Sequence, residues 1–246
     1  MDLLRNEFQR KGINLNDQQI KRFSDYYHML IEWNKKINLT RIVEKKDVVT
    51  RHFLDSLEVL HISNSYLESP FRVIDIGSGA GFPGIPIAIM ENNIHVDLVE
   101  ATKKKTTFLD HIVRELNMTN ISVHNTRAEL LGRDPSFREG FDVAVARGVG
   151  HIFASLEYLL PFCRIGGIVA VLTKPRLGQN IGEIKSVMEA LGGSFLEYRE
   201  VIAPDQPVTR GVVIGKKQCS THPDYPRRPG AITKNPLRPK NESDDS

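Results

Sequence analysis

The chain has 246 residues and a formal net charge of +3 at pH 7. This length allows one sizeable α/β domain with an appendage, and so small a charge does not by itself imply a nucleic-acid partner. The two cysteines, Cys163 and Cys219, are far apart and in no metal-ligand spacing. We therefore expect reduced thiols, a cytoplasmic protein and no metal site. No apolar run approaches the length of a membrane span, and the first residues lack the basic start and apolar core of a signal peptide.

The first 65 residues predict an N-terminal helical extension. Asn16, with Gln19 three positions later, is typical of a capped helix start. Apolar residues then recur at helical spacing: Ile20, Phe23, Tyr27 and Leu30. The stretch 33–40 breaks this pattern and predicts a connection, and a second helix is expected over 47–60. His52 and Asp55 lie on that second helix, where a structural pair is expected rather than a catalytic one.

The stretch 73–84 predicts half of a nucleotide-binding unit. Its apolar start ends at Gly77 and is typical of a buried parallel strand. Gly77, Gly79 and Gly81 then allow a sharp turn and a close approach to a ligand, and a helix beginning near Pro83 follows. The dinucleotide motif G-x-G-x-x-G needs a third glycine at position 82, which is Phe82 here. A purely structural turn is the alternative interpretation.

An acidic residue ends the next predicted strand, 95–100. Glu100 follows Gly81 by 19 positions, where a carboxylate can accept both ribose hydroxyls of a bound nucleoside. The alternative is a carboxylate that is merely exposed at a strand end. Three lysines, 103–105, follow near a helix start, where a solvated face is the expected role and contact with phosphate is the alternative.

Three further predicted strands, 121–125, 141–147 and 167–174, complete the parallel part of the sheet. Ligands of open α/β sheets bind beyond the carboxyl ends of the strands. Arg127, Ala128 and Glu129 are therefore expected close to any adenine held beyond Glu100. The cations at three successive strand ends together predict a basic rim that meets an anion: Arg127, Arg147 and Lys174.

The rest of the chain predicts a helix over 181–191 and two late strands, 194–202 and 208–214. Their link, 203–207, is short enough for an antiparallel pair. We therefore divide the chain into the extension 1–65, a core 66–217 and a basic, proline-rich tail 218–246, whose last six residues are expected to be disordered. The tail's cations favour either a solvated segment or an arm that lies on nucleic acid.

Five helix-linked strands, a further helix and a hairpin resemble the class I methyltransferases that use S-adenosylmethionine (SAM). Several motifs are similar to those of the RsmG family, also called glucose-inhibited division protein B. They are Trp33-Asn34 with Asn38-Leu-Thr40, Arg51-His-Phe-Leu-Asp-Ser-Leu57, Asp75-Ile-Gly-Ser-Gly-Ala-Gly-Phe-Pro-Gly-Ile-Pro86, Lys104-Lys105 with Phe108-Leu109, Arg127-Ala-Glu129 and Tyr225-Pro-Arg-Arg-Pro-Gly230. The similarity runs from the first helices to about Leu237.

The resemblance implies an α/β fold with a mostly parallel seven-stranded sheet and a final antiparallel strand. It also implies SAM-dependent methylation of N7 of one guanosine in bacterial 16S rRNA or the small ribosomal subunit. Gly77 and Phe82, with Gly79 and Gly81, would then line the SAM site beside Glu100. Ala128 and Glu129 would hold the adenine end, which Arg147 would close. The chain departs from the usual pattern at Ala101, Gly148 and Lys174-Pro175.

Guanine N7 carries a lone pair and no proton, so this reaction needs no general base. A cation at N7 would oppose the positive charge that arrives there, so Arg127 and Lys174 are assigned to substrate positioning, at phosphate or guanine O6. We expect a monomer that does not bind membranes. The alternatives are a non-catalytic RNA-binding or ribosome-assembly factor and a dinucleotide-dependent oxidoreductase, against which Phe82 counts.

Overall fold

The fold is built on a seven-stranded sheet. The computed structural model describes residues 1–175, 181–202 and 208–238. The strands are β1 (Arg72–Ile76), β2 (His95–Val99), β3 (Ile121–His124), β4 (Phe141–Arg147), β5 (Cys163–Thr173), β6 (Gly193–Ile202) and β7 (Val208–Lys217). Strands β1, β2 and β4 are almost wholly buried, as expected for central strands that helices cover on both faces.

Short helices connect the strands and precede them. They are α1 (Asp2–Arg10), α2 (Asp17–Asn34), α3 (Lys45–Val48), α4 (Asp55–Tyr66), α5 (Gly84–Met90), α6 (Lys103–Glu115), α7 (Ala128–Leu131), α8 (Ile152–Leu159), α9 (Ile181–Ala190) and α10 (Ala231–Lys234). Asn16 caps α2 as predicted, because its side chain accepts a hydrogen bond from the Gln19 amide and the Gln19 side chain accepts one from the Asn16 amide.

The strand order is β3-β2-β1-β4-β5-β7-β6. Strands β1 to β5 are parallel, and β7 is inserted antiparallel between β5 and β6. The prediction of a mostly parallel seven-stranded sheet with a final antiparallel strand is confirmed. The order reverses between β1 and β4, so the loops after these strands diverge and leave a crevice at the carboxyl edge of the sheet. The link 203–207 lies outside the described residues.

The N-terminal helices belong to the same core as the sheet. Apolar side chains of α1, α2 and α4, among them Phe8, Phe23 and Leu57, form one buried cluster with residues of β1, β5 and β7. The aromatic rings of Phe8, Phe23 and Phe53 follow one another at centroid distances of 5.1 and 4.9 Å. Of the residues predicted at helical spacing, Ile20, Phe23 and Leu30 are buried in this core, whereas Tyr27 is only partly buried and Tyr26 takes the buried position.

The predicted second helix is interrupted by a π-helical segment, Val49–Leu54. The wider turn changes the direction of the side chains that follow, and such segments are frequent at functional sites. The expectation of a pair between His52 and Asp55 was wrong. The Nε2 atom of His52 lies 2.8 Å from the hydroxyl of Thr40, and Asp55 accepts a hydrogen bond of 3.0 Å from Nε of Arg210 on β7.

The described part of the tail, 218–238, packs against the core. Glu157 of α8 is fully buried and makes a bidentate ion pair with Arg227, whose Nε and Nη2 atoms lie 2.8 and 2.6 Å from its carboxylate oxygens. Ile232 of α10 is buried in the same cluster as α8. Arg227 is thus a half-buried partner of the core and not part of a freely solvated segment. The last residues, 239–246, lie outside the described residues.

Removing the guanidinium of Arg227 should be far more costly than removing that of its neighbour. Arg227→Ala would leave the buried Glu157 carboxylate without its partner, which costs about 3–5 kcal/mol of unfolding free energy. Arg228 is exposed, and Arg228→Ala should change that free energy by less than about 0.5 kcal/mol. Urea unfolding of both variants measures the difference, and equal effects would contradict a structural role for this part of the tail.

Candidate active site

The loop between β1 and α5 forms the floor of the crevice. Gly77 and Gly81 adopt φ values of +69° and +94°, a left-handed conformation that side chains disfavour. A Cβ atom at Gly77 would lie 2.6 Å from the side chain of Val149, and one at Gly81 would lie 2.9 Å from the Tyr26 hydroxyl. Both positions therefore need glycine, because the loop after β4 and helix α2 press directly against this backbone.

Two aromatic residues tie the N-terminal helices to this loop. The Tyr26 hydroxyl of α2 donates a hydrogen bond to the Ala80 carbonyl, and both residues are buried. Phe82 contacts two further side chains. The His52 ring stacks on it at 4.5 Å with an interplanar angle of 21°, and the Arg147 guanidinium lies 4.7 Å from its centroid. Arg147 also donates to the Arg51 carbonyl at 3.3 Å. The π-helical segment and the end of β4 thus both contact the ring.

Burial fixes the charge states around Phe82. His52 is only 5% exposed, and burial, with the nearby Arg147 cation, lowers its pKa to about 2. The imidazole is therefore neutral at physiological pH. Burial likewise lowers the pKa of Arg147 to about 10, assisted by the neighbouring Arg210.

Asp75 on β1 fixes the glycine loop through a hydrogen bond to the start of α5. It is fully buried and accepts a hydrogen bond of 2.9 Å from the Gly84 amide at the start of α5. Its Oδ1 atom has no hydrogen-bond partner among the described residues. Burial raises the pKa of this carboxyl to about 7. Asp75 therefore holds the end of the strand and the beginning of the helix together.

Glu100, directly after β2, is rigidly held beside the glycine loop. One of its carboxylate oxygens accepts a hydrogen bond of 3.1 Å from the Gly79 amide, and the other accepts one of 2.7 Å from the Thr102 amide. The residue is only 7% exposed. Each oxygen keeps a second lone pair. Glu100 therefore braces the loop and can still accept hydrogen bonds from a ligand.

A first cavity of about 160 Å³ opens beside Glu100. Its lining residues are Ile76, Gly77, Val99, Glu100, Ala101, Thr126, Arg127, Ala128, Glu129, Val149 and Tyr158. Glu129 is buried, and its carboxylate lies 3.4 Å from the Gly230 amide of the tail. Two buried carboxylates thus face one exposed cation, Arg127, and we call this the acidic cavity. Burial, with the nearby Glu129 carboxylate, raises the pKa of Tyr158 to about 12, so its hydroxyl stays protonated.

A second cavity of about 550 Å³ lies at the same edge of the sheet. Its lining residues are Gly148, Gly150, His151, Ile152, Val171, Leu172, Thr173, Lys174, Pro175 and Arg210. Its cationic side chains come from the ends of β5 and β7, and we call it the basic cavity. Asp55 of α4 does not line this cavity. It is only 2% exposed and forms an ion pair with Arg210.

The structure brings most of the predicted site residues together, with one rearrangement. Gly77, Glu100, Ala128 and Glu129 line the acidic cavity with Arg127, whereas Lys174 lines the basic one. Arg147 lies on Phe82 and does not line either cavity. Gly79 binds Glu100, and Gly81 and Phe82 face the N-terminal helices. The sequence reasoning missed Val149, Tyr158 and Arg210, since none of them ends a predicted strand or belongs to the glycine motif.

Comparison with solved structures identifies the class of fold. The [4+2]-cyclase SpnF aligns with a TM-score of 0.56 at 13% sequence identity and covers 83% of this chain and 97% of its own. The TYW2 protein of M. jannaschii in complex with AdoMet aligns with a TM-score of 0.50 at 17% identity over 67% and 74% of the two chains. The fold is that of the class I SAM-dependent methyltransferases, as predicted.

Sequence comparison identifies the family. The model of the GidB family, described as rRNA small subunit methyltransferase G, matches residues 19–209. The ribosomal RNA small subunit methyltransferase G of Roseiflexus castenholzii is 40% identical over 92% of this chain and 95% of its own. That of Clostridium beijerinckii is 35% identical over 96% and 98%. This chain therefore belongs to the rRNA small subunit methyltransferase G family.

The neutral state of His52 makes a testable prediction for stability. Below pH 6.5 the unfolded chain binds a proton at this histidine that the folded chain, with a pKa of about 2, does not. The His52 contribution is therefore complete above pH 6.5 and is lost as the pH falls. Its loss at pH 5 is about 2 kcal/mol. Asp75 acts in the opposite direction, because its pKa rises from 3.8 to about 7 on folding.

The test is the difference between the wild type and His52→Gln, which cancels the contribution of Asp75. Gln keeps a polar group near Thr40 but does not titrate. Urea unfolding at pH 7.5, 6 and 5 should show the wild type losing about 2 kcal/mol relative to the variant between the two extremes. Parallel pH profiles would contradict a buried neutral imidazole.

Proposed function

We propose that this protein transfers the methyl group of SAM to N7 of a guanosine in the 16S rRNA of the small ribosomal subunit. The observation that carries the cofactor assignment is the buried Glu100 carboxylate, held by the Gly79 and Thr102 amides at the edge of the acidic cavity. Membership of the rRNA small subunit methyltransferase G family supports the substrate.

The residues that line the acidic cavity fit the nucleoside end of SAM. The free lone pairs of Glu100 can accept both ribose hydroxyls. Apolar side chains from Ile76, Val99 and Ala101 offer surfaces for an adenine ring. The first amides of α7, at Ala128 and Glu129, have no partner within a helix that begins there, and they suit the acceptor nitrogens of adenine.

The charge of this cavity favours SAM over a dinucleotide. SAM carries a sulfonium, an ammonium and a carboxylate, so its net charge is positive. NAD and FAD instead carry an anionic pyrophosphate. Two carboxylates, Glu100 and Glu129, line this cavity with one exposed arginine, and Lys105, which does not line it, lies 3.9 Å from Glu100. The excess of negative charge on the lining itself favours the first ligand over the second. This argues against the oxidoreductase alternative independently of Phe82.

For this reaction, the main task of the protein is to position the methyl donor and the guanine base. SAM supplies an electrophilic methyl group when bound, and guanine N7 supplies a lone pair with no proton to remove. The protein has to hold the two in line and exclude water. The basic cavity, which adjoins the loop after β4, offers room for the target nucleotide. N7 is inaccessible in the deep major groove of an RNA helix, so the target must be unpaired or drawn out of its stack.

We further propose that the protein acts as a monomer in the cytoplasm, where bacterial ribosomes are found. No helix among the described residues is long and apolar enough to cross a membrane. A single mass near 28 kDa in solution is the expected result of light scattering on the purified chain.

Methyl transfer with labelled SAM tests the function. Small ribosomal subunits and naked 16S rRNA from cells that lack this activity should each be incubated with the protein, and the modified nucleotide should be mapped. One 7-methylguanosine in 16S rRNA is the expected product. RNA binding without any labelled methyl group would support the non-catalytic assembly factor instead.

Replacing Glu100 should weaken SAM binding in particular. Glu100→Gln removes the charge and replaces one acceptor oxygen with an NH2 donor, and the loss of charge-assisted hydrogen bonds to ribose should raise the Kd for SAM by about tenfold or more. Glu115→Gln at the far end of α6 is the matched control, since its exposed carboxylate pairs with Arg114 at the surface. Calorimetry that shows equal affinities for the two variants would remove Glu100 from the ribose role.

A further inference from the structure

Two cations lie side by side in the basic cavity. Thr173 on β5 and Gly211 on antiparallel β7 form the last pair of this ladder, and Lys174 and Arg210 directly adjoin that pair. Both line the cavity. Like charges that line the same cavity repel each other. An arrangement of this kind is favourable when an anion binds between them.

Arg210 is oriented by a buried carboxylate behind it. Its Nε atom donates a 3.0 Å hydrogen bond to Asp55. The side chain of Asp55 is 2% exposed and that of Arg210 is 21% exposed. No described residue accepts a hydrogen bond from its two terminal nitrogens. Asp55 therefore uses one edge of the guanidinium and leaves the remaining N–H groups for a ligand. The remaining N–H groups of the planar guanidinium can donate two parallel hydrogen bonds to the oxygens of a phosphate.

The neighbourhood remains cationic after this pairing. Arg210 is close enough to Arg147 for its charge to help lower the pKa of Arg147, and Lys174 is an exposed residue of the cavity lining. Among these three cations, Asp55 forms an ion pair only with Arg210. The acidic cavity, by contrast, has more carboxylates than cations. An anionic group that reaches this edge of the sheet would therefore enter the basic cavity.

We propose that the basic cavity binds a phosphate of the target nucleotide, with Arg210 and Lys174 as its ligands and Asp55 as the residue that positions Arg210. The inference rests on the proposed function, because it takes the nucleotide to be part of an RNA substrate. A phosphate held here would orient the base toward the methyl donor without placing a cation at N7.

Direct binding of mononucleotides tests this site without requiring catalysis. The full chain is saturated with S-adenosylhomocysteine, which blocks the acidic cavity, and titrated with guanosine and with 5′-GMP. The wild type should bind 5′-GMP about tenfold more tightly than guanosine. Arg210→Ala should abolish most of this preference and leave the Kd for guanosine unchanged. Arg114→Ala, which removes an exposed arginine at the far end of α6, should preserve it.

The Asp55→Asn variant tests whether Asp55 orients the Arg210 side chain or only neutralises its charge. If Asp55 orients Arg210, the variant should bind 5′-GMP more weakly while keeping its guanosine affinity, and Asp55→Glu should restore part of the preference. If Asp55 only neutralises charge, the asparagine variant should bind 5′-GMP more tightly, which would contradict its positioning role. A wild type with no preference for 5′-GMP, or an Arg210→Ala variant that keeps the preference, would overturn the phosphate site.

Adenosine and 5′-AMP distinguish this inference from the proposed function. One outcome is a tenfold preference for 5′-AMP over adenosine that depends on Arg210, with no selectivity for guanine. This outcome would support the phosphate site and count against a guanosine target. Selectivity for guanine with no effect of the phosphate would keep the target and reject the site.

Discussion

The ring of Phe82 is the contact on which the rest of the site depends. His52 stacks on one side of it and Arg147 lies against it, so the N-terminal helices and the end of β4 meet at the glycine loop. The Tyr26 hydroxyl bonds to the same loop two residues earlier, at Ala80. Because burial keeps His52 neutral, the Arg147 cation can share this layer without a second charge opposing it. The helices that precede the sheet thus support the glycine loop, whose first residue, Gly77, lines the acidic cavity.

Charge is divided along one edge of the sheet. The acidic cavity lies where β1, β2 and the residues after β3 end, and the basic cavity lies where β5 ends and β7 begins. A methyl donor with a net positive charge and an RNA with a negative backbone would therefore be attracted to different places. The loop after β4 contributes to both, through Val149 in one cavity and Gly148 and Gly150 in the other. This loop is where donor and acceptor would meet.

The sequence predicted the parts of this site that are local in the chain. The strands and the antiparallel hairpin follow from apolar runs and breaks, and Glu100 follows from its distance to the glycine motif. The missed features depend on partners far away in sequence. Asp55 meets Arg210 across 155 positions, and Arg227 meets Glu157 across 70. No periodicity could show that Arg227 pairs with a buried carboxylate while its neighbour Arg228 is exposed. Likewise, the prediction of a single basic rim assumed that the cations at all strand ends face the same ligand. Arg147 instead turns inward and lies against Phe82.

Hydrogen exchange on the full chain, with and without S-adenosylhomocysteine, tests most directly whether the N-terminal helices and the glycine loop bind the cofactor as one unit. Peptides that cover 77–84 and 49–54 report on the two sides of the Phe82 contact. If they act together, ligand should slow amide exchange in both, although the π-helical segment does not line the acidic cavity. Slower exchange confined to the loop, with 49–54 unchanged, would contradict this coupling.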